Sequence, residues 1–199
     1  MKTKVIFSAL TVIAIFFLTA VTAFAEDLKA SAKQMLIERD KQIKELLGPK
    51  GSDFSDETRV HVKDIINDVI DYRAMAAHAL QSTWDELSEE ERDEFVDIFS
   101  TIVRDQSLNS LDIYRADVAY EEFEVDGNIV RATTIATLEN VRTPVIYIME
   151  KRGDEWFVID MSVDNVSTAD SYRRSFQNII RRRGYDALLA NLKRRAGEA

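Results

Sequence analysis

The apolar residues in the first half of the chain recur three or four positions apart, which is the spacing of amphipathic helices. The predicted helices span residues 28–47, 55–80 and 88–114. Gly48-Pro49 ends the first, because glycine and proline are typical of helix C-termini. Asp71-Tyr72 lies in the middle of the second and marks a bend or a break. Ser88 and Glu91 form a capping box at the start of the third, and Trp84 lies in the connection before it.

From residue 117 the apolar spacing changes to alternation, which is typical of strands. The predicted strands span residues 117–125, 129–138, 144–152 and 155–163. Asp126-Gly127-Asn128 and Gly153-Asp154 are hairpin signals between neighbouring strands. They predict a four-stranded antiparallel meander. The last two strands are apolar on both faces, so each face must be covered by another part of the chain or by a ligand.

The stretch Glu155–Arg174 joins the most apolar strand to a helix. The strand breaks at Asp164-Asn165, and Ser167 is placed to cap a helix with Asp170 as its capping partner. Gly184 separates that helix from a last one near the end of the chain. Helices, then strands, then helices predict an α+β fold in which a curved sheet is packed against helices.

The first 25 residues have the three parts of a secretory signal peptide. These parts are Lys2 with Lys4, the apolar run Val5–Leu18, and the cleavage site Ala23-Phe24-Ala25. We expect cleavage near Ala25, export to an aqueous compartment, and a single domain over residues 26–199. A retained membrane anchor is the alternative, but the apolar run is short for one. Because the chain has no cysteine, disulfides and thiolate metal sites are excluded.

Charge is distributed unevenly along the chain. Residues 26–169 carry a net charge of −16, whereas residues 170–199 carry eight basic and three acidic side chains, a net charge of +5. The acidic body argues against nucleic acid as a partner, because contacts with phosphates require an extended basic face. The basic end could meet an anionic lipid head group or an acidic partner protein, and it could equally be a solvated helical face.

The residues offer little catalytic chemistry. His61 and His78 form no metal-binding motif, and neither a serine-hydrolase elbow nor a phosphate-binding glycine loop is present. No metal or cofactor is therefore expected. Asp160 interrupts the most apolar strand and could act as a general base, or it could accept hydrogen bonds from a cap, a tyrosine or an arginine such as Arg173. No second catalytic group accompanies it, which favours the structural role.

The apolar residues of the sheet and of the facing helices could line a deep pocket, or they could form an ordinary core. The candidate pocket residues are Tyr147, Met149, Phe157, Ile159 and Met161 on the sheet, with Phe99 and Val103 on the helix opposite. Alternation also allows the other face of the sheet, which carries Ile146, Ile148, Trp156 and Val158.

Several short motifs follow one another along the chain. They are Asp71-Tyr72 with Met75, Leu80, Trp84 and Ser88–Phe95; Tyr147, Trp156 and Asp160; Asp164-Asn165-Val166-Ser167; Tyr172, Arg173 and Phe176; and Gly184-Tyr185-Asp186 with Leu188. In order and spacing they resemble the MlaC family of periplasmic phospholipid-transport proteins, also called the toluene-tolerance family. The resemblance covers roughly residues 30–196. Gln81 and Asn165 depart from it, since the family has glycine at both places.

The resemblance implies a fold related to nuclear transport factor 2, in which sheet and helices enclose an apolar cavity for acyl chains. It implies a monomeric, periplasmic carrier without catalysis or cofactor, whose cargo is phospholipid. Its partners would be an outer-membrane lipoprotein complex and an inner-membrane ABC transporter with an MCE-domain subunit. Asp160, Ser167, Tyr172 and Arg173 would form a structural junction. A carrier of another apolar lipid, such as a hopanoid, and an enzyme that uses Asp160 are the alternatives.

Overall fold

The computed structural model describes residues 3–49, 52, 55–107 and 111–197, and its side chains for residues 24–49, 52, 55–104 and 113–197. The helices are α1 (Thr3–Leu47), α2 (Asp56–Asn67), α3 (Tyr72–Leu80), α4 (Ser82–Glu86), α5 (Glu89–Ser107), a 3₁₀ turn (Leu111–Arg115), α6 (Thr168–Arg183) and α7 (Tyr185–Ala196). The strands are β1 (Asp117–Asp126), β2 (Ile129–Leu138), β3 (Val141–Arg152), β4 (Glu155–Val163) and β5 (Val166–Ser167). Within the described ranges, no helix is long and apolar enough to cross a membrane.

The α+β fold is confirmed, but its sheet has five antiparallel strands, in the order β1-β2-β3-β4-β5, rather than four. The added strand β5 pairs with the end of β4. Asp164 and Asn165 connect them with φ angles of 51° and 62°, which is the backbone of a tight two-residue hairpin turn. A strand of two residues has no alternation, so the sequence pattern could not reveal it.

The segment predicted as the second helix forms two helices, α2 and α3, and the break between them has a structural cause. Ile70 forms a parallel bridge with Val158 of β4. The Asp71 N–H donates to the Val158 carbonyl (2.9 Å), and the Val158 N–H donates to the Val69 carbonyl (2.7 Å). A helix uses these backbone groups internally, so the chain must leave the helix to offer them. The break thereby covers part of the open edge of β4.

Two predicted helix caps are confirmed. The Ser88 N–H donates to Glu91 Oε2 (2.8 Å), while the Glu91 N–H donates to Ser88 Oγ (3.2 Å). Ser167 Oγ accepts from the Asp170 N–H (3.0 Å) at the start of α6, whereas the Asp170 carboxylate, expected as the capping partner, contacts His78 and Arg173. Both caps involve residues three positions apart, which explains why sequence alone was sufficient to predict them.

The connections on either side of α5 differ from the predicted ones. Trp84 lies in the short helix α4, and the Arg73 and Arg92 guanidiniums each lie 5.3 Å from the centre of its ring. Helix α5 ends at Ser107 instead of near Tyr114. Residues 108–110 lie outside the described residues, and the 3₁₀ turn follows them. Periodicity cannot separate a helix from such a turn, because both place residues i and i+3 on one side.

A β-bulge in β4 decides which of its side chains share a face of the sheet. Ile148 of β3 pairs with Asp160, but the next residue, Met149, pairs with Val158. Ile159 is therefore an extra residue without a partner. One extra residue reverses the alternation of the strand at that point. Val158 and Asp160, which strict alternation would place on the same face, therefore lie on opposite faces of the sheet.

Among the side chains that the structure describes, the buried apolar ones form two large clusters and a small one between α1 and α2. The helical cluster lies among α3, α5, α6 and α7, and it is centred on three fully buried aromatic rings: Phe95, Phe99 and Phe176. The sheet cluster lies between α1 and one face of the sheet, called here the inner face. Ile70, next to the break between α2 and α3, contacts both clusters.

Candidate functional site

The inner face is apolar along its whole centre. Its buried residues are Val130 and Ala132 of β2, Met149 of β3, and Trp156 and Val158 of β4. Helix α1 covers them with Leu28 and Ala32. The Trp156 indole N–H donates to Ser31 Oγ over 2.8 Å, which attaches α1 to the sheet at one point.

The edge of this buried centre, between α1 and the inner face, is lined by apolar residues that are only partly buried. The partly buried residues along it, called here the seam, are Met35, Leu36, Val69, Ile70, Phe123, Val125, Tyr147 and Met161. The seam and the centre together contain Met35, Met149 and Met161, three of the five methionines of the chain. Methionine is flexible and fills irregular spaces, so a methionine-rich boundary can repack at low cost.

Tyrosines provide polar groups at this apolar face. Burial raises the pKa of Tyr147, and Tyr114, Tyr120 and Asp40 raise it further. Burial and Asp40 raise the pKa of Tyr120 to about 12. Both hydroxyl groups therefore stay protonated at neutral pH, and each can donate a hydrogen bond to an ester or phosphate oxygen without bringing a charge into the apolar layer.

The bulge divides the residues that sequence reasoning placed on one face. Tyr147 pairs with Met161, and Met149 lies two residues further along β3, so these three share the inner face. Phe157 pairs with Glu150 and lies on the opposite face, where the Arg152 guanidinium is 5.0 Å from its ring. Ile159 is the bulge residue itself.

The alternative set of sheet residues is divided in the same way. Trp156 and Val158 lie in the sheet cluster on the inner face, whereas Ile146 and Ile148 point to the opposite side. Neither set derived from strict alternation describes a real face. The inner face combines Tyr147 and Met149 of the first set with Trp156 and Val158 of the second. Beyond the bulge it continues with Met161 of the first set.

The two helical candidates lie apart from the inner face. Phe99 is fully buried in the helical cluster, and its ring centre lies 4.9 Å from Tyr172 and 5.8 Å from Phe176. Val103 is partly buried against the same cluster. These residues fill the space among the helices, so the structure does not bring them together with Tyr147 and Met161.

Asp160 forms a junction between β4 and α6. Its carboxylate accepts hydrogen bonds from Ser167 Oγ (2.6 Å), the Ala169 N–H (3.0 Å) and the Met161 N–H (2.8 Å). Arg173, expected as a partner, pairs instead with Asp170, with Nε and Oδ1 2.9 Å apart. Both oxygens of Asp160 are engaged within the protein, which suits a structural acceptor better than a general base.

Tyr172, the remaining member of the expected junction, packs against the helical cluster. The local pattern around Ser167 was sufficient to predict the cap. It could not show which side chain faces the carboxylate, because residues 160 and 169 meet only through the β4–β5 turn.

A polar cleft of about 430 Å³ lies where α1, α2 and α5 meet. Its lining residues are Arg39, Lys63, Asp64, Ile65, Asn67, Asp68 and Arg104. Arg39 Nη2 lies 2.8 Å from Asp68 Oδ2, and the Tyr72 hydroxyl donates to Asn67 Oδ1. Sequence reasoning missed this cleft, because its residues come from three helices and form no motif. Among the side chains described, no group of three or more His, Cys, Asp or Glu residues could hold a metal ion.

Comparison with known proteins identifies the family. The family model described as MlaC protein matches residues 38–194. The chain belongs to the MlaC family. The resemblance found in the sequence motifs is thus confirmed.

A solved structure shares the fold of this MlaC family member. It is a phospholipid-binding protein from Ralstonia solanacearum, determined in complex with a phospholipid. The two chains are 19% identical and superpose with a TM-score of 0.70, covering 85% of this chain and 97% of the Ralstonia protein. No curated protein matches the chain.

The structure shows the backbone conformation at the two residues that depart from the expected glycines. Gln81, in place of glycine, joins α3 to α4 with φ 54° and ψ −134°, a conformation that glycine adopts far more easily than other residues. Its side-chain amide donates to the His78 carbonyl (2.7 Å) and so helps to hold this backbone. Asn165 is milder, because asparagine tolerates the left-handed φ of 62°.

Proposed function

We propose that this MlaC family member is a periplasmic phospholipid carrier that binds acyl chains between α1 and the inner face of the sheet. The observation that carries the proposal is the seam, an apolar, methionine-rich boundary whose residues are only partly buried. Family membership supports the proposal. So does the fold shared with the Ralstonia protein, whose structure contains a phospholipid.

The energetics demand such a site. A two-chain lipid has about 30 methylenes, and at roughly 0.8 kcal/mol each their exposure to water costs on the order of 20 kcal/mol. A carrier must therefore cover both chains. Separation of α1 from the sheet along the seam would open an apolar cavity between them, in keeping with a fold related to nuclear transport factor 2.

The polar cleft is the candidate place for the head group. Arg39, Lys63 and Arg104 line it and can attract a phosphate. The cleft adjoins the inner face along the chain, because Asn67 and Asp68 of the cleft directly precede Val69 and Ile70 of the seam. A lipid with its phosphate in the cleft would thus have its chains beside the seam.

The carrier would be exported with cleavage near Ala25 and would act as a monomer. Loading and release would take place at an outer-membrane lipoprotein complex and at an inner-membrane ABC transporter with an MCE-domain subunit. These partners must drive opening, because spontaneous loss of acyl chains to water would be far too slow. The contacts of Asp160 favour a carrier over an enzyme of the same fold.

The test is lipid content. Processed protein isolated from cells is extracted with organic solvent, and the extract is identified by mass spectrometry. We expect phospholipid near one molecule per protein. Met161→Gln, on the inner face, should lower that content several-fold, whereas the control Phe157→Gln, on the opposite face, should leave it unchanged.

The outcomes separate the alternatives. An extract without lipid would refute the carrier. A hopanoid or another apolar lipid in place of phospholipid would keep the carrier and change its cargo. Equal lipid content in Met161→Gln and Phe157→Gln would place the acyl chains elsewhere than the seam.

A further inference from the structure

The basic end of the chain folds into a groove between α6 and α7. The groove has a volume of about 190 Å³ and is lined by Asn178, Ile179, Arg182 and Arg183 of α6 and by Ala187, Asn191 and Arg194 of α7. Residues four apart on a helix share a face, which explains how Asn178 and Arg182 line it together. Because α6 and α7 are joined by Gly184 alone, guanidinium and amide donors from two helices converge on one surface.

The arginines of this groove carry uncompensated charge. Arg182, Arg183 and Arg194 are exposed, and none forms an ion pair with a carboxylate in the described part of the chain. Neighbouring cations on the same helices are paired: Arg173 with Asp170, and Lys193 with Glu94. The groove is therefore a positive site at one end of an otherwise acidic molecule.

Helix stability accounts for only part of this arrangement. Cations in the last turns of α6 and α7 interact favourably with the helix dipoles, and these arginines occupy such positions. That interaction does not require arginines from both helices to line the same groove as Asn178 and Asn191. The convergence points to a ligand.

The chemistry of the groove favours phosphate. The arginine guanidinium binds phosphate oxygens through bidentate hydrogen bonds, and the asparagine amides add neutral hydrogen-bond donors. Protein interfaces usually contain a buried apolar or aromatic centre, but the exposed large apolar residues of the described chain all lie outside α6 and α7. We propose that the α6–α7 groove docks the protein electrostatically on the phosphates of an anionic phospholipid membrane. This surface is separate from the seam and does not depend on the proposed cargo.

Vesicle flotation tests the proposal. Processed protein isolated from cells is mixed with vesicles of phosphatidylcholine that contain phosphatidylglycerol, or with vesicles of phosphatidylcholine alone. We expect binding only to the anionic vesicles, weakened by salt. The triple variant Arg182→Gln, Arg183→Gln and Arg194→Gln should lose about fivefold in affinity per arginine, on the order of a hundredfold in total.

The matched control removes the same number of positive charges elsewhere, with Lys33→Gln, Lys41→Gln and Arg142→Gln at exposed sites on α1 and β3. It should retain most of the binding, and circular dichroism should show both triple variants to be folded. Equal losses in the two variants, or equal binding to neutral vesicles, would refute a specific groove. Arginine-dependent binding to polyglutamate without binding to anionic vesicles would instead assign the groove to an acidic protein and overturn the proposal. Lipid extraction of the same samples reports separately on the cargo.

Discussion

Asp160→Ala should destabilise the protein by removing the acceptor that joins β4 to α6. The wild-type carboxylate accepts from Ser167 Oγ, the Ala169 N–H and the Met161 N–H, at 2.6, 3.0 and 2.8 Å. Two of these donors belong to the start of α6, where a negative charge also interacts favourably with the helix dipole. The substitution leaves all three donors without this partner.

The size of the effect follows from these contacts. A hydrogen bond to a charged group contributes about 1.5–3 kcal/mol, and three bonds to one carboxylate are not additive, so we expect a loss of about 3 kcal/mol. In a domain of this size that corresponds to a fall in Tm of roughly 10 °C. Asp160→Asn keeps an acceptor of the same shape, so it should lose only about 1–2 kcal/mol.

Denaturant unfolding followed by circular dichroism measures these free energies. Ser167→Ala is the companion variant, because it removes the helix cap together with the Asp160 contact and should cost about 1–2 kcal/mol. The double variant should be less destabilised than the sum of the single ones, with a coupling of about 1 kcal/mol.

A free energy of unfolding for Asp160→Ala within about 0.5 kcal/mol of the wild type would refute the junction, since that is the usual range for surface substitutions. The same variants address catalysis. Asp160→Asn that folds and carries lipid normally agrees with a structural acceptor, whereas a folded variant that loses a measurable turnover would support the enzyme.

Three further predictions concern the helical cluster, the backbone and pH. Phe99→Ala should lower the free energy of unfolding, measured in denaturant, by about 3–5 kcal/mol, because Phe99 is fully buried. The control Phe157→Ala, at a partly exposed residue, should lower it by roughly half as much. Equal effects of the two substitutions would contradict the burial of Phe99. Gln81→Gly should raise the free energy of unfolding by about 1 kcal/mol, because it relieves backbone strain, whereas Asn165→Gly should have little effect. If Gln81→Gly instead lowers the free energy of unfolding, the hydrogen bond of the Gln81 amide outweighs the strain. Burial and Asp40 raise the pKa of Tyr120 to about 12 in the folded protein, above its unfolded value of 10.0, so its contribution to stability is complete below pH 10 and is lost as the pH rises towards 12. Absorbance of tyrosinate should show that Tyr120→Phe removes a late-titrating group, and an unchanged titration would contradict this assignment.

Elements whose signals are local could be predicted from the amino-acid sequence. The turn Asp126-Gly127-Asn128 needs a glycine at positive φ, and Gly127 has a φ of 61°. The caps at Ser88 and Ser167 join residues three positions apart. The family resemblance was also readable, because it depends on the order of short motifs. In the turn and the caps the interacting residues are close together in the chain, so their pattern can be recognised without knowledge of the fold.

Features that depend on contacts between residues far apart in the chain could not be predicted from the sequence. The bulge at Ile159 reflects the register between β3 and β4, and it alone determines that Met161 and Val158 share the inner face. The break before α3 follows from the bridge between Ile70 and Val158. The α6–α7 groove follows from the angle at which two helices meet. The sequence predicts the positive charge of this region, but only the fold shows that arginines of α6 and α7 line one groove.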